Sequence, residues 1–114
     1  MPNICAVRAD SGITTIKELV AAMKKNPGKY SYASSGTGGI GHLQTELFKS
    51  LAGVFMTHIP YRGAGPALQD LIAGQVDMMF DGLGSSAAHI KNGRIKALAV
   101  ASTTRAPGFI AFIA

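Results

Sequence analysis

The stretch Tyr30-Ser31-Tyr32-Ala33-Ser34-Ser35-Gly36-Thr37-Gly38-Gly39-Ile40-Gly41-His42-Leu43 decides the fold. Tyr30, Tyr32 and Ser34 alternate onto one face, the period-two pattern of a strand. Ser35 to Gly41 carries too much glycine for a strand or a helix interior and reads as a turn. From Ile40 a helix is marked by Ile40, Leu43, Leu47 and Leu51, with Gly53 just past its end. Strand, glycine turn and helix together make one βα unit.

The same alternation runs outward in both directions. Upstream, Ile4 to Val7 is a short apolar strand. Thr15 follows as an N-cap, with Glu18 completing a capping box. Ile16, Leu19, Val20 and Met23 sit at helical spacing, and Asn26-Pro27-Gly28 stops that helix. Downstream, Phe55 to Pro60 is the third strand. Gly63-Ala64-Gly65-Pro66 opens a helix with Pro66 at its first position, an apolar face of Leu68, Leu71 and Ile72, and Gly74 as its stop. Val76 to Phe80 is the fourth strand. Ser85 or Ser86 caps a short helix through Ile90 that Asn92-Gly93 ends, and Ile95 to Ala101 is the fifth strand. Five strands alternating with four helices predict an α/β domain, with a mostly parallel sheet covered by helices on both faces.

Length and composition set the bounds. The chain has 114 residues, 47% hydrophobic and 15% charged, with a formal net charge of +5. That suits one domain, excludes two complete lobes with a cleft between them, and excludes disorder. Roughly two-thirds of the unfolded chain's surface can be buried at this size, so no metal or disulfide staple is needed. Cys5 is the only cysteine, which rules out an internal disulfide. Charge this sparse implies either self-association or a larger whole that covers part of the surface, and the second reading is preferred. The basic residues form no Arg cluster or aromatic-basic stripe, so nucleic acid is not an expected partner. No apolar run reaches the roughly 20 residues a bilayer requires, and the first residues do not read as a signal peptide.

In open α/β sheets ligands bind where strand ends hand over to helix N-termini. Three such turns stand out: Ser34-Ser35-Gly36-Thr37-Gly38-Gly39, Tyr61-Arg62-Gly63-Ala64-Gly65, and Asp81 to Ser86. The first combines hydroxyls, glycines that admit a close ligand, and the positive end of a helix, which suits a carboxylate or phosphate. The alternative is a turn that merely packs helix against strand. Arg62 is the best-placed cation for a carboxylate, or else a surface arginine. Tyr61 either closes over an aliphatic ligand or packs the strand end. Asp81 either accepts from a ligand or caps the next helix. His42, one residue into its helix, is a further contact candidate.

Gly36-Thr37-Gly38-Gly39-Ile40-Gly41 also satisfies the dinucleotide pattern G-x-G-x-x-G. The confirming acid after the next strand is missing, and Tyr61 and Arg62 stand there, which would suit only the 2′-phosphate of NADP. No Lys-Ser or Lys-Thr follows the glycines, so a P-loop is excluded. His42, His58 and His89 have no acidic sequence neighbours, no G-x-S-x-G elbow exists, and no His or Cys pair has metal-ligand spacing. Neither catalysis, nor a metal, nor a cofactor is expected.

From Lys24 to Ala101 the chain resembles the Bug/TctC family, the extracytoplasmic solute-binding receptors of tripartite tricarboxylate transporters. The matching pieces are residues 26–36, Gly41-His42-Leu43, Glu46-Leu47-Phe48-Lys49, His58-Ile59-Pro60-Tyr61-Arg62-Gly63, Pro66-Ala67-Leu68, residues 74–81, His89-Ile90-Lys91, Gly93-Arg94 and residues 96–100. The resemblance implies one lobe of a two-lobe, hinged, type II periplasmic-binding-protein-like fold that takes small carboxylates and works with membrane transporter subunits. Its ligand-binding share here would be Ser34, Ser35, Gly36, Thr37, Gly38, Gly39, Tyr61, Arg62, Gly63, Ala64 and Asp81. Residues 1–107 would be the second lobe, without the first, and residues 108–114 an apolar tail that departs from the family pattern. The parent protein would be periplasmic, and the exposed cleft face would favour a homodimer or a strand-swapped oligomer. The competing readings are an NADP-binding domain of an oxidoreductase and a truncated lobe with only self-association.

Overall fold

The computed structural model describes residues 3–102 and 111–113. Ten elements follow in chain order: β1 (Asn3–Arg8), α1 (Ile16–Lys25), β2 (Ser31–Ser34), α2 (Ile40–Ala52), β3 (Thr57–Pro60), α3 (Ala64–Ile72), β4 (Met78–Gly82), α4 (Leu83–Lys91), β5 (Ile95–Ser102) and β6 (Ala111–Ile113). They build one sheet of order β3-β2-β4-β1-β5-β6. The five expected strands are all present, and β6 joins them by pairing with β5.

β2 pairs parallel with both β3 and β4, whereas β1 runs antiparallel to β4 and to β5. Strands β2, β3, β4 and β5 therefore share one direction, and β1 is inserted among them the other way. Four strands of six keep the expected common direction, while β1 and β6 oppose it. β1 tolerates its central place because Ile4, Cys5, Ala6 and Val7 are all buried, the continuous apolar run of a strand covered on both faces. The common direction brings the C-terminal ends of β2, β3 and β4 to the same edge.

Alternation along the strands assigns the helices to faces. Cys5, Val7, Tyr32, Met78 and Phe80 form one core with Leu19 and Met23 of α1 and Phe48 of α2. Ile4, Ala6, Ala33 and Met79 form the other, with Ala67, Leu68 and Leu71 of α3, and Ile90 of α4 packs against it. The helices therefore cover both faces, as the sequence implied.

Thr15 caps α1 with its hydroxyl on the Glu18 amide at 3.0 Å, and the Glu18 carboxylate accepts from Thr14 and Thr15. Those bonds, the Thr14 hydroxyl's first, hold the Glu18 carboxyl below its ordinary range. A lowered folded-state value contributes stability above the unfolded value, and that stability is lost as the pH falls through the folded one.

Two helix starts differ from the sequence reading. α4 begins at Leu83 with Gly82 as N-cap, so Ser85 and Ser86 lie in its first turn rather than capping it. α3 begins at Ala64, which makes Pro66 its third residue. That place is still inside the first turn, where the missing N–H would have no helical partner.

The larger difference is the face α2 presents. The stripe that marks it in the sequence lies mostly in solvent, with Ile40 68%, Leu43 60% and Leu51 63% exposed. The buried residues are Gly41, Gln44, Thr45 and Phe48, which follow the same spacing. The cause is a close approach. A Cβ on Gly41 would lie 2.6 Å from the Phe80 carbonyl oxygen, so only a bare backbone fits against β4 there. Once Gly41 is turned inward, Ile40 and Leu43, each one position before a buried residue, face out.

Cys5 is fully buried, and burial pushes its thiol up to about 12. Iodoacetamide at mildly alkaline pH should leave it unmodified in the folded chain and alkylate it rapidly in denaturant, because the thiolate is the nucleophile. Rapid alkylation without denaturant would contradict the central position of β1.

Candidate functional site

All three glycine-bearing turns open on the edge formed by the ends of β2, β3 and β4. The first two are joined directly, with the Tyr61 amide donating to the Ser34 carbonyl at 2.9 Å and the Gly63 amide to the Ser35 carbonyl at 3.1 Å. The third meets the first where Gly41 lies against Phe80. The chain start is tied in as well, because Asn3 Nδ2 donates to Gln44 Oε1 at 2.7 Å and Asn3 is registered opposite Gly82.

Within the first turn the amides divide into two sets. Gly36 donates to Ser34 Oγ at 3.3 Å, Gly38 to His42 Nδ1 at 2.9 Å and Gly39 to the Gly36 carbonyl at 3.2 Å. These three therefore shape the turn, and Gly38 needs its glycine because its φ is +84°. The amides of Ser35, Thr37, Ile40, Gly41 and His42 have no acceptor among the described residues. Ile40, Gly41 and His42 form the first turn of a 13-residue helix, where unpaired N–H groups and the dipole together favour negative charge. Ser35, Thr37 and Ile40 are exposed, so water reaches the turn.

The remaining sequence candidates separate clearly. Arg62 is exposed and has no ion-pair partner among the described residues. The Tyr61 ring packs on the α3 core, and its hydroxyl donates to Asp70 Oδ2 at 2.6 Å. That bond and burial push the Tyr61 phenol up to about 12, with burial the larger cause. Gly63 and Ala64 form the N-cap and first residue of α3. Asp81 is buried and accepts on Oδ2 from Ser85 Oγ at 2.6 Å and Ser86 Oγ at 2.5 Å, which ties the end of β4 to the first turn of α4.

A group that the sequence did not point to stands behind the first turn. His58 of β3 places Nε2 2.6 Å from Ser34 Oγ, and its ring stacks on His42 at 4.0 Å and on Tyr32 at 5.0 Å. Burial first, and the neighbouring His42 second, hold the His58 imidazole below its ordinary value. The Tyr32 hydroxyl donates to Glu46, whose carboxylate also accepts from Lys49 Nζ at 2.9 Å. The signal for His58 was its register opposite Tyr32, which exists only once β2 and β3 are paired. No group of three His, Cys, Asp or Glu able to hold a metal occurs among the described residues.

A single α/β domain with this mixed sheet and helices on both faces has the architecture of a periplasmic binding protein's lobe. The model of the TctC family, the tripartite tricarboxylate transporter family receptor, matches residues 1–113, and the chain belongs to that family. A curated relative, the UPF0065 protein of the tcbD-tcbE intergenic region of Pseudomonas sp. strain P51, is 44% identical over 94% of this chain and 32% of its own length. Rpa4515 of R. palustris, solved with adipate, superposes with a TM-score of 0.85 at 37% identity, over 87% of this chain and 33% of that one. MatC of Rhodopseudomonas palustris, solved with bound malate, gives 0.84 at 28% identity, over 92% and 36%. The chain spans about a third of the length of the curated relatives it matches.

Proposed function

We propose that this lobe supplies one side of the small-carboxylate site of a periplasmic solute receptor that serves a tripartite carboxylate transporter. The observation that carries the reading is the set of amides without acceptors among the described residues at Ser35, Thr37 and Ile40, three exposed residues, continued by those of Gly41 and His42, with Arg62 on the same edge where three strands end. The adipate and malate held by two similar proteins give the class of ligand.

One carboxylate of the ligand lies over the first turn of α2 and takes its N–H groups and the hydroxyls of Ser35 and Thr37. Arg62 adds a cation from the second turn. Gly36, Gly38, Gly39, Gly63, Ala64 and Asp81 hold the backbone in place rather than touch the ligand, and Tyr61 anchors α3. In this reading the role of the edge is recognition. In the whole receptor an opposing lobe would bury the ligand and shift a hinge equilibrium that the membrane subunits read. The periplasm is the proposed compartment because receptors of this family work there.

A site open to water on one side gives weak binding, with a dissociation constant in the roughly millimolar range. Titrating the chain with adipate should show such binding, and the matching uncharged diol should show none. Arg62→Gln should weaken it about three- to tenfold, since a charged hydrogen bond is exchanged for a neutral one. Equal responses to diacid and diol would overturn the reading.

A further inference from the structure

The stacked pair His42 and His58 is not explained by carboxylate recognition, yet between them the two rings hold both sides of the glycine turn. His42 Nδ1 takes the Gly38 amide at 2.9 Å. His58 Nε2 shares a hydrogen bond with Ser34 Oγ at 2.6 Å, and that same oxygen takes the Gly36 amide. The rings are nearly parallel and stacked, with 10° between their planes and 4.0 Å between centroids.

The Gly38 bond has a strict chemical requirement. An imidazole accepts only through an unprotonated nitrogen, so His42 must carry its proton on Nε2 and leave Nδ1 bare. A second proton converts Nδ1 into a donor facing another donor. It also places a positive charge 4.0 Å from a ring whose neutral form is already favoured.

We propose that His42, backed by His58, is the positioning residue of the carboxylate turn: neutral His42 fixes the turn through the Gly38 amide, and charging it releases that amide. The groups that face the pair are Tyr32 from β2 and Glu46 and Lys49 from α2 itself. Glu46 favours the charged form of His58 and Lys49 opposes it. Glu46 and Lys49 are bonded to each other, which leaves their opposing effects partly cancelled. The consequence is a receptor lobe whose carboxylate turn is ordered near neutral pH and loosens in acid. That consequence rests on the carboxylate reading, whereas the turn's response to charge does not.

The test follows the Gly38 amide by NMR in the ligand-free chain from about pH 8 down to about pH 5, the range in which an imidazole titrates. In the wild type the Gly38 signal should move with the His42 ring, and its amide exchange should quicken about five- to tenfold in acid beyond the intrinsic pH effect, the loss of one net hydrogen bond. His42→Asn places an oxygen acceptor near the Nδ1 position that does not titrate, so Gly38 should then stay fixed across the range. His42→Leu should give the released signal at every pH. An unchanged methyl spectrum would show that each variant keeps its fold. A Gly38 signal that ignores the His42 titration, or one that titrates equally in His42→Asn, would overturn the proposal. Neither outcome would touch carboxylate binding, which adipate tests separately at neutral pH.

Discussion

Replacing Gly41 with valine is expected to lower the unfolding free energy by about 3 kcal/mol, at the upper end of ordinary overpacking. The first carbon of the new side chain would lie 2.6 Å from the Phe80 carbonyl oxygen, which is backbone in a strand paired on both sides. Neither partner can move cheaply. The strand is held by β1 and β2, and α2 is held by Phe48 in the core and by the Gln44 bond to Asn3. The helix propensity gained by leaving glycine is worth only a few tenths of a kcal/mol and does not offset the clash. A domain of this size has about 5–15 kcal/mol in total, so the loss is a large share. Urea unfolding at neutral pH should show a lower midpoint with an unchanged slope. An unchanged midpoint would mean that α2 does not rest on β4, and the N-terminal amides of α2 would then be misplaced as a ligand surface.

Tyr32→Ala should cost about 4 kcal/mol, within the range for removing a buried aromatic ring. The ring is fully buried and is the platform on which His58 stacks. Its hydroxyl also reaches out to Glu46, and burial followed by that bond raises the phenol well above its ordinary value. Tyr32→Phe separates the two contributions. It keeps the platform and loses only the hydroxyl bond, so about 1 kcal/mol is expected. If the two variants cost the same, the hydroxyl and not the packing would dominate, contrary to the arrangement described. The His58 ring signals should change environment in Tyr32→Ala and stay close to the wild type in Tyr32→Phe.

What the sequence revealed was local in origin. The capping box at Thr15 and Glu18, the glycine stop at Gly53 and the strand around Tyr32 all depend on residues within a few positions of one another. What it concealed depends on contacts across the chain. β1 reads as a short apolar strand, but its antiparallel place between β4 and β5 is set by pairing with residues some eighty positions away. α2 carries two stripes at helical spacing, one leucine-rich and one of Gly41, Gln44, Thr45 and Phe48. Hydrophobicity favours the first, and only the approach to the Phe80 carbonyl selects the second. The candidate edge was legible because glycine turns after strands have a recognisable composition. The division of labour inside it was not, since Gly36 and Gly38 are taken by Ser34 and by a histidine that itself stacks on a residue from another strand.

The dinucleotide-like run from Gly36 to Gly41 has a structural explanation in this fold: positive φ at Gly38 and a close helix–strand contact at Gly41 account for two of its glycines. Neither requires a cofactor.

The central claim is that negative charge settles on the unpaired start of α2. The most direct measurement is the residue-by-residue amide response of the 114-residue chain to adipate at neutral pH, with the uncharged diol as reference. The account predicts saturable shifts at Ser35, Thr37, Ile40, Gly41 and His42 that fit one dissociation constant, with smaller movements at Gly36, Gly38 and Gly39. Shifts elsewhere on the chain with this set unmoved would contradict it.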